Sequence, residues 1–236
     1  MKKYFVTAVF LLLAFPLFAQ SGGIAPSEGI SNTWLMNDVE NNNIFKGYSS
    51  IAGNPYLNRN FRLGELISKN KVKFANAPMR YNIYTDNIEY KSPKNRIYTL
   101  KYPTEGEAYK IGDTTFIYSP YYQRNKKLSM SYFQVLAKGP KVMGLVRYSV
   151  YIQPFQQAKP YTPAKPPRFS SKNIYYYVKI ADAPAREVPT KKSFLKLFPD
   201  QKGPLIHFIK KEHIGIQRQQ DFIKLINYCN NLLGKK

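Results

Sequence analysis

Residues 79–91 read Met-Arg-Tyr-Asn-Ile-Tyr-Thr-Asp-Asn-Ile-Glu-Tyr-Lys, and this stretch determines the predicted fold class. Two runs rich in Tyr and Ile, residues 79–85 and 88–91, have the composition and spacing of β-strands. Between them stand Asp86 and Asn87, which tolerate the positive φ that a two-residue hairpin turn requires. The stretch therefore predicts a β-hairpin with these two residues at its turn.

The strand pattern continues on the carboxyl side of this hairpin. A turn at residues 92–95 and a strand at 96–101 extend it into an antiparallel meander. Further strands are predicted at residues 108–111, 114–118, 129–137, 141–152 and 174–180. In residues 147–152 neither face is cleanly polar, which predicts a sheet that is covered on both faces or closed into a barrel.

After Pro189 the apolar period changes from two to about 3.6, which indicates helices. We predict helices at residues 191–198, 205–211 and 218–233, with Asp200 capping the second. Their apolar faces must be buried, and the preceding sheet is the simplest surface to bury them. The predicted fold class is therefore α+β: a mainly antiparallel sheet, followed by a C-terminal helical segment packed on it.

The first residues have the pattern of a secretory signal peptide. Lys2 and Lys3 precede an apolar stretch of about fourteen residues that ends at Phe18, shorter than the roughly 20 residues that a spanning helix needs. The sequence predicts cleavage near Ala19 or Gln20 and no transmembrane segment. The expected location is the periplasm or the periphery of an outer membrane, with secretion as the alternative.

Four segments follow from composition. We predict a signal peptide at 1–20, a mobile or loosely docked lead-in at 21–45, a β-rich body at 46–189, and helices of the same domain at 190–236. Within the body, residues 154–168 hold five prolines. They are interpreted as a stiff connector; the alternative is a peptide ligand for a partner, since Pro160, Pro163 and Pro166 share one face of a polyproline helix.

Positive charge is concentrated in the second half of the chain. The sequence has 36 Lys and Arg against 14 Asp and Glu, and no carboxylate stands between Asp113 and Asp182. Such a field attracts anionic partners. The candidate anion-binding surface consists of Arg124, Lys126, Lys127, Lys138, Lys141, Arg147, Lys165 and Arg168. Two interpretations of the segment from Tyr121 to Lys127 stay open: stacking on sugars or bases, or a solvated hairpin tip.

Residue types for catalysis and metal binding are sparse. His207 and His213 are too few for a zinc site, and Cys229 lies on an apolar helical stripe without a basic partner, which indicates an inert buried thiol. Carboxylates for glycoside hydrolysis would have to come from Asp86, Glu89, Glu105, Glu107 or Asp113, all expected at or beside turns. We therefore predict no catalytic residue, no metal and no cofactor.

A series of short motifs carries a resemblance to known proteins. The motifs are Asn54-Pro55-Tyr56-Leu57, residues 79–84, residues 164–169, Phe198-Pro199-Asp200 and residues 208–211. In this order they resemble a family of uncharacterised exported proteins of Bacteroidota-type bacteria, over roughly residues 53–233. The resemblance implies export and a β-rich fold with a helical tail, and it carries over no activity.

The predicted function is that of a non-catalytic exported envelope protein. Its basic β-rich module would dock on an anionic envelope component or an acidic protein surface, and export argues against nucleic acid as a partner. The alternative is a periplasmic carrier of an apolar, lipid-like ligand, enclosed by the sheet and the helices. A cell-wall glycan enzyme is the third hypothesis.

Overall fold

The computed structural model describes residues 36–38, 51–67, 73–100 and 103–234. The predicted signal peptide lies outside the described residues, and so does the predicted lead-in except for residues 36–38. The first strands are β1 (Met36–Asp38), β2 (Arg62–Ile67), β3 (Lys73–Asn82), β4 (Asn87–Lys91), β5 (Ile97–Leu100) and β6 (Ala108–Ile111). The remaining strands are β7 (Thr114–Tyr122), β8 (Leu128–Lys138), β9 (Val142–Ser149), β10 (Ile152–Gln153), β11 (Arg168–Phe169), β12 (Asn173–Ile180) and β13 (Ala185–Glu187). The helices are α1 (Lys191–Leu195), α2 (Lys202–Lys211), which follows a 3₁₀ turn at Pro199–Gln201, and α3 (Gln219–Gly234).

Five strands, β7, β8, β9, β12 and β13, close into a barrel. Neighbours around the barrel are antiparallel, except that β13 runs parallel to β7. The interior is filled by Tyr121, Phe133, Leu145, Tyr177 and Ala185, each of which is buried. The predicted α+β class is confirmed, and of the two arrangements expected for the sheet the chain forms a closed barrel.

Strands β1 to β6 form an antiparallel outer sheet in the order β1-β5-β4-β3-β2-β6, which confirms the predicted meander, and β10 and β11 form a separate two-stranded sheet. The outer sheet joins the barrel along β7, whose residues 114–117 pair with β6 and whose residues 121–122 pair with β13. Pro120 lies between these two stretches, where the strand pairs with neither β6 nor β13. A proline has no N–H to donate, so the change of neighbour occurs where a donor is missing.

The β3–β4 turn is longer than predicted. Asn82 pairs with Asn87, so the turn comprises residues 83–86 and not the two residues Asp86 and Asn87. Asp86 has a φ of +53°, as its residue type suggested. The amide oxygen of Asn82 accepts hydrogen bonds from the N–H groups of Tyr84 and Thr85, and these bonds hold the longer turn.

Helix α3 packs on β8 and β9 of the barrel, as predicted for the helical segment, and α1 and α2 contribute to the same apolar cluster. Phe222 and Ile226 of α3 lie over Gly144 of β9, where a Cβ would stand 2.7 Å from Ile226 Cγ1. A glycine at this point lets the helix approach the sheet closely. The predicted cap is wrong: Asp200 lies within the 3₁₀ turn, and Gln201 precedes α2 without a side-chain hydrogen bond.

The proline-rich segment is a hairpin and not an extended connector. Beyond the β10–β11 pair, backbone N–H and C=O groups bond in both directions between Gln156 and Lys165 and between Lys159 and Thr162. We call residues 152–169 the proline hairpin. Prolines interrupt the strands without preventing the hairpin, because they occupy positions between the bonded pairs.

Candidate functional site

A two-lobed cleft opens at one end of the barrel, which we call the mouth end. The β7–β8 hairpin lies at this end, and the β8–β9 turn lies at the opposite end. The inner lobe has a volume of about 370 Å³ and the outer lobe about 520 Å³. Gln123, Arg124 and Glu187 line both lobes. The inner lobe adds Tyr121, Arg147, Tyr175 and Tyr177, and the outer lobe adds Tyr122, Lys126, Arg186, Pro189 and Ser193.

An ion pair between Arg124 and Glu187 lies where the two lobes meet. The Arg124 guanidinium binds the carboxylate with two nitrogens, Nε–Oε2 at 3.2 Å and NH2–Oε1 at 2.9 Å. Hydrogen bonding to Glu187 raises the pKa of Arg124, so its charge is permanent. The Arg124 side chain is 74% exposed, whereas that of Glu187 is 13% exposed. A fork-to-fork pair of this kind fixes the orientation of the guanidinium at the rim of the cleft.

Arg147 supplies a second cation to the inner lobe, beside Arg124. It stands on β9 opposite Tyr175, and its Nε donates a hydrogen bond of 2.9 Å to the hydroxyl of Ser131. That hydroxyl donates in turn to Asp86 Oδ2 at 2.6 Å. Among the described residues, the four ion pairs do not include Arg147. Its guanidinium is therefore held in position through a neutral hydroxyl, and its charge has no direct carboxylate partner.

Tyrosine rings lie beside the cations of the cleft. The guanidinium of Arg147 is 5.2 Å from the ring centroid of Tyr121, and that of Arg124 is 5.7 Å from the centroid of Tyr175. In the outer lobe, Arg186 stands 5.3 Å from the ring of Tyr122. Such contacts orient a guanidinium and leave its edge nitrogens able to donate to a ligand.

Tyr177 contributes a hydroxyl to the inner lobe that stays protonated. Burial raises its pKa, and the nearby charge of Glu187 raises it further. A neutral phenol is a hydrogen-bond donor as well as an acceptor. The lobe thus combines a fixed cation, hydroxyl donors and aromatic faces, an arrangement suited to binding an anionic group carried on a ring.

Charge in the cleft is unbalanced. Among the residues that the structure describes, four cations line it, Arg124, Lys126, Arg147 and Arg186, against one carboxylate, Glu187, which already pairs with Arg124. Partial enclosure by protein lowers the local dielectric constant and focuses such a field on the cleft. An anion entering either lobe would meet an excess of positive charge, with Asp86 behind Arg147 on the far side of the Ser131 hydroxyl.

The structure divides the predicted anion-binding surface among three regions. Arg124, Lys126 and Arg147 come together at the cleft, and Lys127 belongs to the same hairpin without lining either lobe. At the opposite end of the barrel, beside α3, lie Lys138 and Lys141. The remaining two predicted residues, Lys165 and Arg168, belong to the proline hairpin. The predicted residues are therefore not one surface.

Arg186 and two tyrosines of β12, Tyr175 and Tyr177, line the cleft although they were not among the predicted site residues. Arg186 follows Asp182, so it lies beyond the carboxylate-free stretch that defined the candidate surface. It reaches the cleft because β13 pairs with the end of β7. Tyr175 and Tyr177 alternate along β12, and that period-two spacing was the available signal for a shared face.

All five carboxylates considered for catalysis were expected at or beside solvated turns. The structure instead buries two of them, Glu89 and Glu107. Glu89 is fully buried on β4, where Arg80 Nε donates to it at 2.7 Å and Asn82 Nδ2 at 2.9 Å. Glu107 is 3% exposed and accepts hydrogen bonds from the hydroxyl of Tyr109 and the N–H of Thr104. Both carboxylates are occupied by internal hydrogen bonds that satisfy buried polar groups.

The barrel interior bears on the carrier hypothesis. Phe133 and Leu145 are fully buried there, and Tyr177 is 3% exposed. Lys179, two residues further along β12, is also buried and pairs with Glu105 at 3.3 Å. Side chains thus occupy the space that a lipid-like ligand would need inside the barrel.

Neither a metal-binding cluster nor a membrane-spanning helix is present among the described residues. Within the described residues, no three His, Cys, Asp or Glu side chains are grouped so that they could hold a metal ion. In the part of the chain that the structure describes, no helix is both long and apolar enough to span a bilayer. No protein-family model, curated protein or solved structure matches the chain.

Proposed function

We propose that the chain is an exported, non-catalytic binding module that docks on an anionic component of the cell envelope through the cleft at the mouth end. The observation that carries this proposal is the excess of cations in the cleft, above all Arg147, which makes no direct ion pair with a described carboxylate and reaches Asp86 only through Ser131. Guanidinium groups suit carboxylates and phosphates because their planar donors match two acceptor oxygens.

The tyrosines narrow the proposed ligand class. Tyr175 is partly exposed and presents its ring beside the guanidinium of Arg124, and a sugar ring can lie against this face while its acidic group meets Arg147. The volume of about 370 Å³ lies within the usual range for small-ligand pockets. We therefore propose an acidic glycan, bearing carboxylate or phosphate groups, as the anionic component.

Calorimetric titration of the mature chain with oligogalacturonate, a carboxylated glycan, tests this proposal. Arg147→Gln and Arg186→Gln should each weaken binding about tenfold or more, because each removes a charge-assisted hydrogen bond. Lys138→Gln is the matched control: it removes the same charge at the opposite end of the barrel, and binding should stay within about twofold.

Three results would contradict the proposal. Binding that does not weaken with added salt would remove its electrostatic basis. An equal loss in Lys138→Gln and Arg147→Gln would show that net charge, and not the cleft, attracts the glycan. Lack of saturable binding to oligogalacturonate and to a phosphorylated glycan alike would exclude the ligand class.

The proposed export rests on residues 1–20 of the sequence. Mass spectrometry of the chain recovered from the envelope fraction of an expressing cell should find an amino terminus close to residue 20. An intact chain that begins at Met1 and stays in the cytoplasm would contradict this part of the proposal and leave glycan binding to be judged separately.

A further inference from the structure

Tyr161, at the tip of the proline hairpin, has an unfavourable backbone conformation. Lys159 and Thr162 exchange backbone hydrogen bonds of 3.0 and 2.9 Å, so Pro160 and Tyr161 form the turn between them. Tyr161 has a φ of +65°. A turn with proline at its second position and positive φ at its third normally has glycine or asparagine there, because a larger residue is strained.

Among the described residues, none packs on the Tyr161 side chain to compensate for this strain. The side chain of Tyr161 is fully exposed, Phe155 is 56% exposed, and every residue from 154 to 166 is exposed. Large apolar side chains fixed in solvent mark a contact surface when they cluster on one projecting element. Backbone strain at such a position points in the same direction.

The hairpin is built to project. Its base is fixed, since Phe169 is buried and its N–H donates to the carbonyl of Ala52 at 2.8 Å. Two rungs of backbone hydrogen bonds, Gln156 with Lys165 and Lys159 with Thr162, then hold it away from the body. It leaves the barrel from the carboxyl end of β9, which is the mouth end.

We propose that the proline hairpin contacts the headgroup layer of an anionic bilayer, with Tyr161 entering that layer and Lys159 and Lys165 binding lipid phosphates. Charge complementarity supports this partner, because the connection from residue 150 to 172 contains four basic residues and no acidic one. Tyrosine favours the interfacial layer, where its ring is in an apolar environment and its hydroxyl in a wet one.

The backbone of the hairpin also fits a lipid surface better than a protein edge. Pro154, Pro160, Pro163 and Pro166 have no N–H, so they bring no unpaired donor into a layer poor in water. The same prolines prevent a partner strand from pairing along either side of the hairpin. The proposal is independent of glycan binding at the cleft.

A single indole at the tip would report contact with lipid. The mature chain carries Tyr161→Trp together with Trp34→Phe, since Trp34 is the one native tryptophan. With vesicles of equal parts phosphatidylglycerol and phosphatidylcholine, the indole emission should shift to shorter wavelength and brominated lipids should quench it. With vesicles of phosphatidylcholine alone, both effects should be much weaker.

Charge variants supply the matched control. Lys159→Gln should weaken partitioning to the anionic vesicles about fivefold, the contribution expected of one lysine at such a surface. Lys138→Gln, at the opposite end of the barrel, should change partitioning clearly less, because its charge is screened over about 8 Å. Unchanged far-ultraviolet circular dichroism would show that both variants fold.

Two outcomes would overturn the proposal. One is an indole that stays solvated while the chain is bound to anionic vesicles; the other is an equal loss of partitioning in both lysine variants. An indole that is buried only on adding an envelope protein would assign the hairpin to a protein partner instead. The two proposals have separate measurements, oligogalacturonate binding for the cleft and the Tyr161→Trp indole signal for the hairpin, so failure of the cleft proposal and failure of this one are distinguishable.

Discussion

Replacing Asn230 by alanine should detach the last helix from the barrel more than any other exchange of one polar side chain in α3. Asn230 is 8% exposed, and its Oδ1 accepts hydrogen bonds from the N–H groups of Lys141 at 3.2 Å and Val142 at 3.0 Å. Its Nδ2 donates to the carbonyls of Val142 at 2.9 Å and Ile226 at 3.0 Å. The side chain therefore connects α3 to the β8–β9 turn.

The expected cost follows from what each partner loses. The exposed Lys141 can bind water instead, so its lost bond costs about 1 kcal/mol. Val142 is fully buried, and leaving its N–H without an acceptor costs about 1–3 kcal/mol. The two carbonyls keep other donors: Gly139 N–H still bonds to Val142, and the helix ladder still serves Ile226. The free energy of unfolding should fall by about 2–4 kcal/mol, which corresponds to a decrease in Tm of roughly 5–15 °C for a chain of this size.

Urea unfolding followed by circular dichroism would measure this change. Asn231→Ala is the control, since Asn231 is the next residue of the same helix and is exposed. Both exchanges gain the same helix propensity, about 0.5 kcal/mol, so their difference isolates the buried hydrogen bonds. Equal unfolding midpoints for the two variants would refute the assignment of Asn230 as the connection between helix and barrel.

Three further predictions concern the same region. Gly144→Ala should destabilise the fold by about 1–3 kcal/mol in urea unfolding, because its new Cβ would lie 2.7 Å from Ile226 Cγ1; an unchanged midpoint would contradict the close helix contact. A hydrogen bond from the Gly215 N–H lowers the pKa of Asp221 in the folded chain. The carboxylate therefore stabilises the fold above its unfolded pKa, and this stabilisation is lost as the pH falls through the folded pKa. The difference in thermal stability between the native chain and Asp221→Asn should be present at neutral pH and shrink below about pH 4. Burial raises the pKa of the Cys229 thiol to about 12, so a maleimide should not label the folded chain and should label it fully in guanidinium; rapid labelling of the folded chain would be the contrary result.

Local chemistry made much of the fold predictable. The period-two runs around Asp86 and the change to helical spacing after Pro189 predicted the meander and the three helices, and the structure confirms both. Closure of the barrel left no comparable pattern in the sequence. It depends on β13, a strand of three residues, which pairs in parallel with β7 about sixty residues earlier in the chain. A strand that short has no measurable period.

The candidate site was predictable in part for the same reason. The excess of basic residues identified Arg124 and Arg147 as candidates, but it could not separate them from Lys138 and Lys141. These two pairs lie at opposite ends of the barrel, and a count of charges does not show at which end a residue lies. Pro160 indicated extended geometry, and the cross-hairpin bonds that fold the segment back depend on pairing that proline content alone does not reveal.

Strand β7 belongs to both the outer sheet and the barrel, and only its residues 114–117 pair with the outer sheet. Melting of the outer sheet would free one side of residues 114–117, while residues 121–122 stay paired on both sides with β13 and β8. Amide protons around Tyr121 should therefore exchange with solvent only when the whole chain opens, and those of β1 and β5 should exchange sooner. The shared strand makes the barrel the last element to unfold and couples the environment of the inner lobe to global stability.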